Sequence, residues 1–217
     1  MSVVELVGWG AALIGTLLGL PQVFRLARTR SVEGLSMPAW QAILGLNIGW
    51  ASHGILLGQT NMIVPNILGL ASTLPILVMM SRELERSLPK VLLPGVLVGA
   101  LMIGVDLAFG TAVFGVVAIF PAFFANFGQC VELIRSPSVA GVSPVFLIGG
   151  VVNQVFWFTW GLLVNDAGTI ITATVTLTVT AFNLVWWILR QAGLRSFGVP
   201  TRSEVRAYVR ARSRAGT

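Results

Sequence analysis

Long apolar runs alternate with short polar turns along almost the whole chain. The runs fall at about residues 4–24, 38–57, 62–80, 91–109, 111–134, 144–164 and 168–189. A helix needs roughly 20 predominantly apolar residues to cross the hydrocarbon core of a bilayer, so the pattern predicts seven transmembrane helices. Beyond residue 190 it stops and a basic tail, 191–217, follows. The opening run does not read as a signal peptide. Its only early charge is Glu5, and no small-residue cleavage motif follows it.

Composition sharpens this. Of 217 residues, 55% are hydrophobic and 10% charged, where soluble domains carry about 25% charged residues. The single Cys excludes a disulfide framework and a multi-cysteine metal site. A net charge of +6 would suggest nucleic acid in a soluble chain, but placement decides otherwise. Arg25, Arg28 and Arg30 follow the first run, Arg82, Arg86 and Lys90 the third, Arg135 the fifth, and the remaining seven the last. The opposite turns hold Glu5, Asp106 and Asp166 and no cation. The positive-inside rule puts the N-terminus outside and the C-terminus in the cytoplasm. The bilayer is the expected partner, not nucleic acid. Adding or losing a run would scramble the segregation, which supports the count of seven. The excess of Arg over Lys suggests a GC-rich bacterial genome, and so a bacterial cytoplasmic membrane.

The chain repeats itself. Residues 22–36 read QVFRLARTRSVEGLS and 129–143 read QCVELIRSPSVAGVS, matching at seven of 15 positions at an offset of 107. The same offset aligns Trp50 with Trp157, Gly54 with Gly161 and Thr73 with Thr180. Two three-helix units, 1–81 and 111–190, therefore flank a linker and fourth helix, 82–110. A three-span unit ends on the side opposite its start. The extra span returns the chain to the starting side, so both units run parallel, with a site expected between them near mid-membrane.

Gly19-Leu20-Pro21-Gln22, the basic stretch to Arg30, Ser31-Val32-Glu33-Gly34-Leu35-Ser36, Trp50 with Gly54, and Asn66 resemble the PQ-loop repeat superfamily. Within it they are similar to the SWEET-type transporters and their bacterial half-size relatives. The resemblance covers roughly residues 4–190. It implies an all-α, seven-helix 3+1+3 transporter with alternating access. It further implies that the second-helix aromatics Trp50 and Trp157 and the third-helix Asn66 line a sugar site. The second repeat departs from the pattern: Gly128 precedes Gln129 where Pro21 precedes Gln22, and Ala173 aligns with Asn66. An asymmetric pocket is expected.

Several side chains are candidates for that site. Asn47 and Asn66 are amides at membrane depth, where an unpartnered amide costs several kcal/mol; they face a cavity or a neighbouring helix. For Asn126 and Asn183 a helix–helix bond is the better reading. Thr172, Thr176 and Thr180 share one helical face. They either bond back to the i−4 carbonyl or offer hydroxyls to the cavity. His53 is a packing residue, a proton sensor or a substrate contact. Trp186 and Trp187 read as interfacial anchors. Pro21, Pro38, Pro121 and Pro144, with Gln22 and Gln129, mark bending and gating points. Arg25 and Glu132, equivalent and opposite in charge, are expected to pair when the inner side is closed.

No Asp, Glu, Lys or Arg lies at mid-span, and Asp106 and Asp166 read as solvated edge carboxylates. Ion-coupled carriers keep a buried ionisable group, so the reading favours an uncoupled facilitator of a small neutral polar solute, a mono- or disaccharide first. An amino-acid or other metabolite carrier and a non-transporting receptor or assembly protein are the alternatives. Nothing points to a cofactor, a metal or an enzyme: no nucleophile–base arrangement or phosphate loop appears. A retinal Schiff base is excluded because the only Lys, Lys90, lies in a turn. Homo-oligomer formation stays open.

Overall fold

The computed structural model describes residues 1–197 except 30 and 33, with the side chains of 22, 27, 125 and 127 also left undescribed. The tail arginines 202–214, expected as a basic amphipathic helix or a disordered segment, lie outside the described residues, as does the Gln22 side chain. Among the described residues seven helices follow in order: α1 (Val3–Thr29), α2 (Met37–Leu57), α3 (Thr60–Glu83), α4 (Leu88–Phe109), α5 (Thr111–Arg135), α6 (Pro144–Val164) and α7 (Ala167–Gln191). Five are long and apolar enough to cross a membrane, and bent α5 makes six. The seventh, α2, carries Gln41, Asn47, Ser52 and His53 among its 21 residues. The outer faces expose large apolar side chains such as Leu13, Leu97, Leu101 and Phe120, as a lipid solvent requires.

The repeat is written in the helix ends. Ser36 and Ser143, 107 residues apart, cap α2 and α6 by accepting from the N–H groups of Ala39 and Phe146. Gly58 and Asn165, again equivalents, end those helices in the left-handed region at φ 65° and 54°. Only the second repeat caps its third helix with a side chain: Asp166 accepts from the N–H groups of Gly168 and Thr169, where Gln59 makes no such bond.

Packing follows the same register. Leu26 and Val32 enter one buried cluster with Leu44, Ile76, Leu77 and Met80. Their equivalents Leu133 and Val139 enter another with Val142 and Leu147. Glu83 accepts from the Val32 N–H at 3.2 Å. Its equivalent, Arg190, donates to the carbonyls of Leu133 at 2.9 Å and Ser136 at 2.7 Å. Opposite charges thus pin the same loop, one through an N–H and the other through carbonyls. The halves meet along two equivalent seams, α1 on α6 and α5 on α2, while α4 lies mainly on α2. Bare backbone permits the close approaches: a Cβ on Gly95 would come within 2.6 Å of the Gln41 carbonyl oxygen, and one on Gly115 within 2.6 Å of that of Gly168.

Two proline expectations are corrected here. Pro38 is the second residue of α2 and Pro144 the first of α6, positions whose N–H has no helical acceptor, so neither deletes a bond nor bends a helix. The bend in α5 is 46°, between Thr111–Phe124 and Gly128–Arg135. It falls beyond Pro121 and just before Gly128, the equivalent of Pro21, where a missing Cβ weakens the helix. Pro21 lies within a continuous α1. Pro94, inside α4, is a further interior proline that the sequence reading passed over.

Candidate functional site

A cavity of about 660 Å³ lies between the two triplets, within the roughly 300–1,000 Å³ range of small-molecule sites. Trp50 and Trp157 both line it, as do Asn47, Asn66, Thr172 and Thr176. No charged side chain is among the described lining residues. Trp50 is held edge-on by Phe114 at 4.8 Å, and Trp157 by Trp160 at 5.8 Å. The position aligned with Asn66 is Ala173, which also lines the wall, so the pocket is chemically lopsided.

Each amide commits one N–H to the protein. Asn66 Nδ2 donates to the Met62 carbonyl at 2.7 Å, and Asn47 Nδ2 to Thr73 Oγ1 at 3.3 Å. Asn126 lines the cavity and donates one turn back, to the Ala122 carbonyl at 2.8 Å, so the expected helix–helix bond is corrected. These three bonds engage the amide nitrogens and not the amide oxygens, which are acceptors. The threonine face splits. Thr176 and Thr180 donate to the carbonyls of Thr172 and Thr176 in their own helix. Thr172 donates across to the Gly115 carbonyl at 3.0 Å. Gln154, Ser72 and Thr169 also line the cavity. The sequence reading did not single out Ser72 or Thr169 for the site. Repeat register could have flagged Met62 and Thr169, which are equivalents and both line it.

His53 is not among the lining residues. It sits one layer further along α2, with Nδ1 2.6 Å from Asp106 Oδ2 and Nε2 3.2 Å from Asp166 Oδ2. Phe114 stacks on the ring at 4.3 Å and Trp50 meets it edge-on at 5.6 Å. This corrects the reading of Asp106 and Asp166 as solvated edge groups: they are 9% and 3% exposed. Asp166, in the turn before α7, also accepts from the Thr111 hydroxyl and the Thr169 N–H. Burial alone would raise its pKa, but the bonds from His53, Thr111 and Thr169 prevail and hold it well below the usual carboxylate range. A signal for the cluster was available, since all three residues fall at the same end of their runs.

At the end that carries the cluster the two halves touch. There a Cβ on Gly8 of α1 would overlap Asn61 of α3 and Trp160 of α6. The described Lys and Arg lie at the other end, where Arg25 and Glu132 are both exposed and form no ion pair with each other. A Cβ at Gly19 or Gly128, near those residues, would meet nothing within 4 Å. At that end Trp186 and Trp187 pack on the Leu133 cluster with buried indole nitrogens, so they are core residues as much as anchors.

Two like-oriented helix triplets about an uncharged cavity define a polytopic membrane protein built by doubling, with a small-molecule site between its halves. The family model described as sugar efflux transporter for intercellular exchange matches residues 110–191, the second triplet. A sugar transporter SemiSWEET of Escherichia coli (strain UMEA 3162-1) is 32% identical over 78 residues, covering 36% of this chain and 88% of that protein. The chain belongs to this SWEET and SemiSWEET family. A eukaryotic SWEET transporter solved at 3.7 Å shares its fold, with a TM-score of 0.67 over 88% of this chain and 100% of the other at 17% identity.

Proposed function

We propose that this protein is an alternating-access facilitator that passes a small neutral polar solute, a mono- or disaccharide, down its gradient. The observation that carries the reading is the cavity between the halves, with a Trp from each half and amide and hydroxyl groups on an uncharged wall. Indole faces suit the C–H faces of a sugar ring, and the amide and hydroxyl oxygens suit its hydroxyls. A zwitterionic amino acid would leave two charges unmatched in such a wall. Family membership supports the same reading: the E. coli relative is a sugar transporter.

In this reading Trp50, Trp157, Asn47, Asn66, Thr172 and Thr176 contact the solute. The units are 1–81 and 111–190, joined through 82–110. The basic end faces the cytoplasm of a bacterium, and the structure is the inward-facing conformer. On closure of the inner end, Arg25 and Glu132 meet across the pseudo-axis, while the region of Pro21-Gln22 and Gly128-Gln129 bends.

Uptake of a panel of labelled sugars into proteoliposomes without a proton gradient tests this. Replacing Asn66 by Ala removes one solute hydrogen bond of about 0.5–1.5 kcal/mol. It is expected to raise KM about two- to tenfold with the protein still folded. Uptake that requires an imposed ion gradient, or that is indifferent to Asn66→Ala and Trp157→Ala together, would refute the reading.

A further inference from the structure

The end where the halves touch is held by ionisable groups taken from both halves and from the linker helix. His53 of α2 is 1% exposed and lies between Asp106 of α4 and Asp166 of the α6–α7 turn, at 2.6 and 3.2 Å. A neutral imidazole has one N–H and one lone pair. It can donate to only one of two flanking carboxylates. The other ring nitrogen would then aim its lone pair at a carboxylate oxygen, a repulsion left unscreened by burial. Both contacts are favourable only when the three groups hold one proton beyond a neutral ring and two carboxylates.

The position of that proton follows from the donors already present. Asp166 accepts from the Thr111 hydroxyl, the Thr169 N–H and the Gly168 N–H, so it stands as a carboxylate and receives His53 Nε2–H. The additional proton lies between His53 Nδ1 and Asp106. Asp106 and Asp166 are the charged groups acting on the ring. Among the elements packed against it, α5 supplies the apolar Phe114 ring and the uncharged Thr111, and α3 supplies Met62, packed on Gly54 beside His53.

We propose that His53, Asp106 and Asp166 form a proton-binding site that locks the closed outer end, so that solute passage responds to pH on the outer face. The proposal rests on the transporter reading above. His53 and Asp166 belong to opposite halves, so opening the outer end must part them. The proton then leaves to the outer solution and returns from it on closing. No bond other than the N–H or O–H bond to that proton is made or broken. The cavity wall offers the proton no ionisable stepping stone among its described residues, so none crosses with the solute and movement stays downhill. Trp50, against the ring and on the cavity wall, joins lock to pocket.

His53 is the single histidine of the chain, so ring nitrogen-15 labelling reports the site alone. The full-length protein, inserted in one orientation in proteoliposomes, is assayed for exchange of labelled glucose at equal sugar on both sides. Outer pH is varied from about 5 to about 9, the range in which histidine-centred sites act, with inner pH held, and then the reverse. Exchange is expected to rise about tenfold with outer pH and to ignore inner pH. The ring nitrogens should titrate over the same interval, and His53→Gln should flatten the profile. Asp106→Asn serves where His53→Gln does not fold: one carboxylate satisfies a neutral ring, so its profile should also be flat. Exchange flat in outer pH, equal sensitivity to inner pH, or a profile unchanged in both variants overturns the proposal. If no sugar exchanges, the transporter reading fails. The solute-free titration still decides the site: ring nitrogen signals that shift between about pH 5 and 9 as the proton leaves support it, and signals unchanged over that range overturn it.

Discussion

Asn47 shows how narrowly a residue can be placed. Its side chain reaches Thr73 from α2 because Gly69 leaves room beside it. A Cβ at Gly69 would fall on the Asn47 amide, and that amide cannot move without losing Thr73. Gly69→Ala is therefore expected to weaken sugar uptake several-fold, with Asn47→Ala no worse in that background, as a double-mutant cycle of uptake would show. Thr172 makes a second residue-scale prediction. Its hydroxyl adds a bond from α7 to the Gly115 carbonyl of α5, and Thr172→Val removes that inter-helix bond at a cost of about 0.5–1.5 kcal/mol. A lower melting temperature in detergent would register this, and Thr172→Ser should restore most of it. The threonine pattern disclosed a polar face but not its split, because self-bonding and cross-helix bonding demand the same residue type.

Among elements, the helix ends were the most legible. Ser36, Ser143, Gly58 and Asn165 act through local backbone geometry, which a few neighbouring residues set. The proline readings went wrong for a related reason. A proline costs a helix bond only when a turn of helix precedes it, and the start of α2 at Met37 leaves Pro38 without one. Pro38→Ala and Pro144→Ala should accordingly keep uptake within about twofold of the parent, since neither removes a kink. Gly168 behaves oppositely. Its Cβ would lie 2.7 Å from the Thr111 carbonyl oxygen, so Gly168→Val should push α5 from α7 and destabilise the protein by about 1–3 kcal/mol. Size-exclusion thermostability measurements would detect that loss, and an unchanged melting point would show that the seam tolerates a side chain.

At the scale of the molecule, two doubled triplets make one seam into two equivalent ones, and the conformer is set by which ends of those seams are tied. Orientation can be read directly. With Cys130 replaced by Ser, a cysteine at exposed Thr60 should react with an impermeant maleimide from outside intact cells. One at exposed Ser87 should react only after permeabilisation. The reverse result would invert the assignment of sides. The inner gate is tested by charge: Arg25→Glu or Glu132→Arg alone should slow exchange, and the two together should restore it.

The chain by itself determined the seven apolar spans, the segregation of charge and the repeat at an offset of 107. Each is a one-dimensional property, settled by transfer into lipid or by local capping. The repeat register was legible too, which is why Trp50 and Trp157 could be paired, and the family resemblance added Asn66. Tertiary structure alone decided direction around the helix axis. It turned His53 away from the cavity toward carboxylates 53 and 113 residues distant, and it buried two acids that span edges had marked as solvated. Which side of a helix faces a cavity, and which faces a neighbour, depends on how all seven pack, and no local stretch of sequence carries that information.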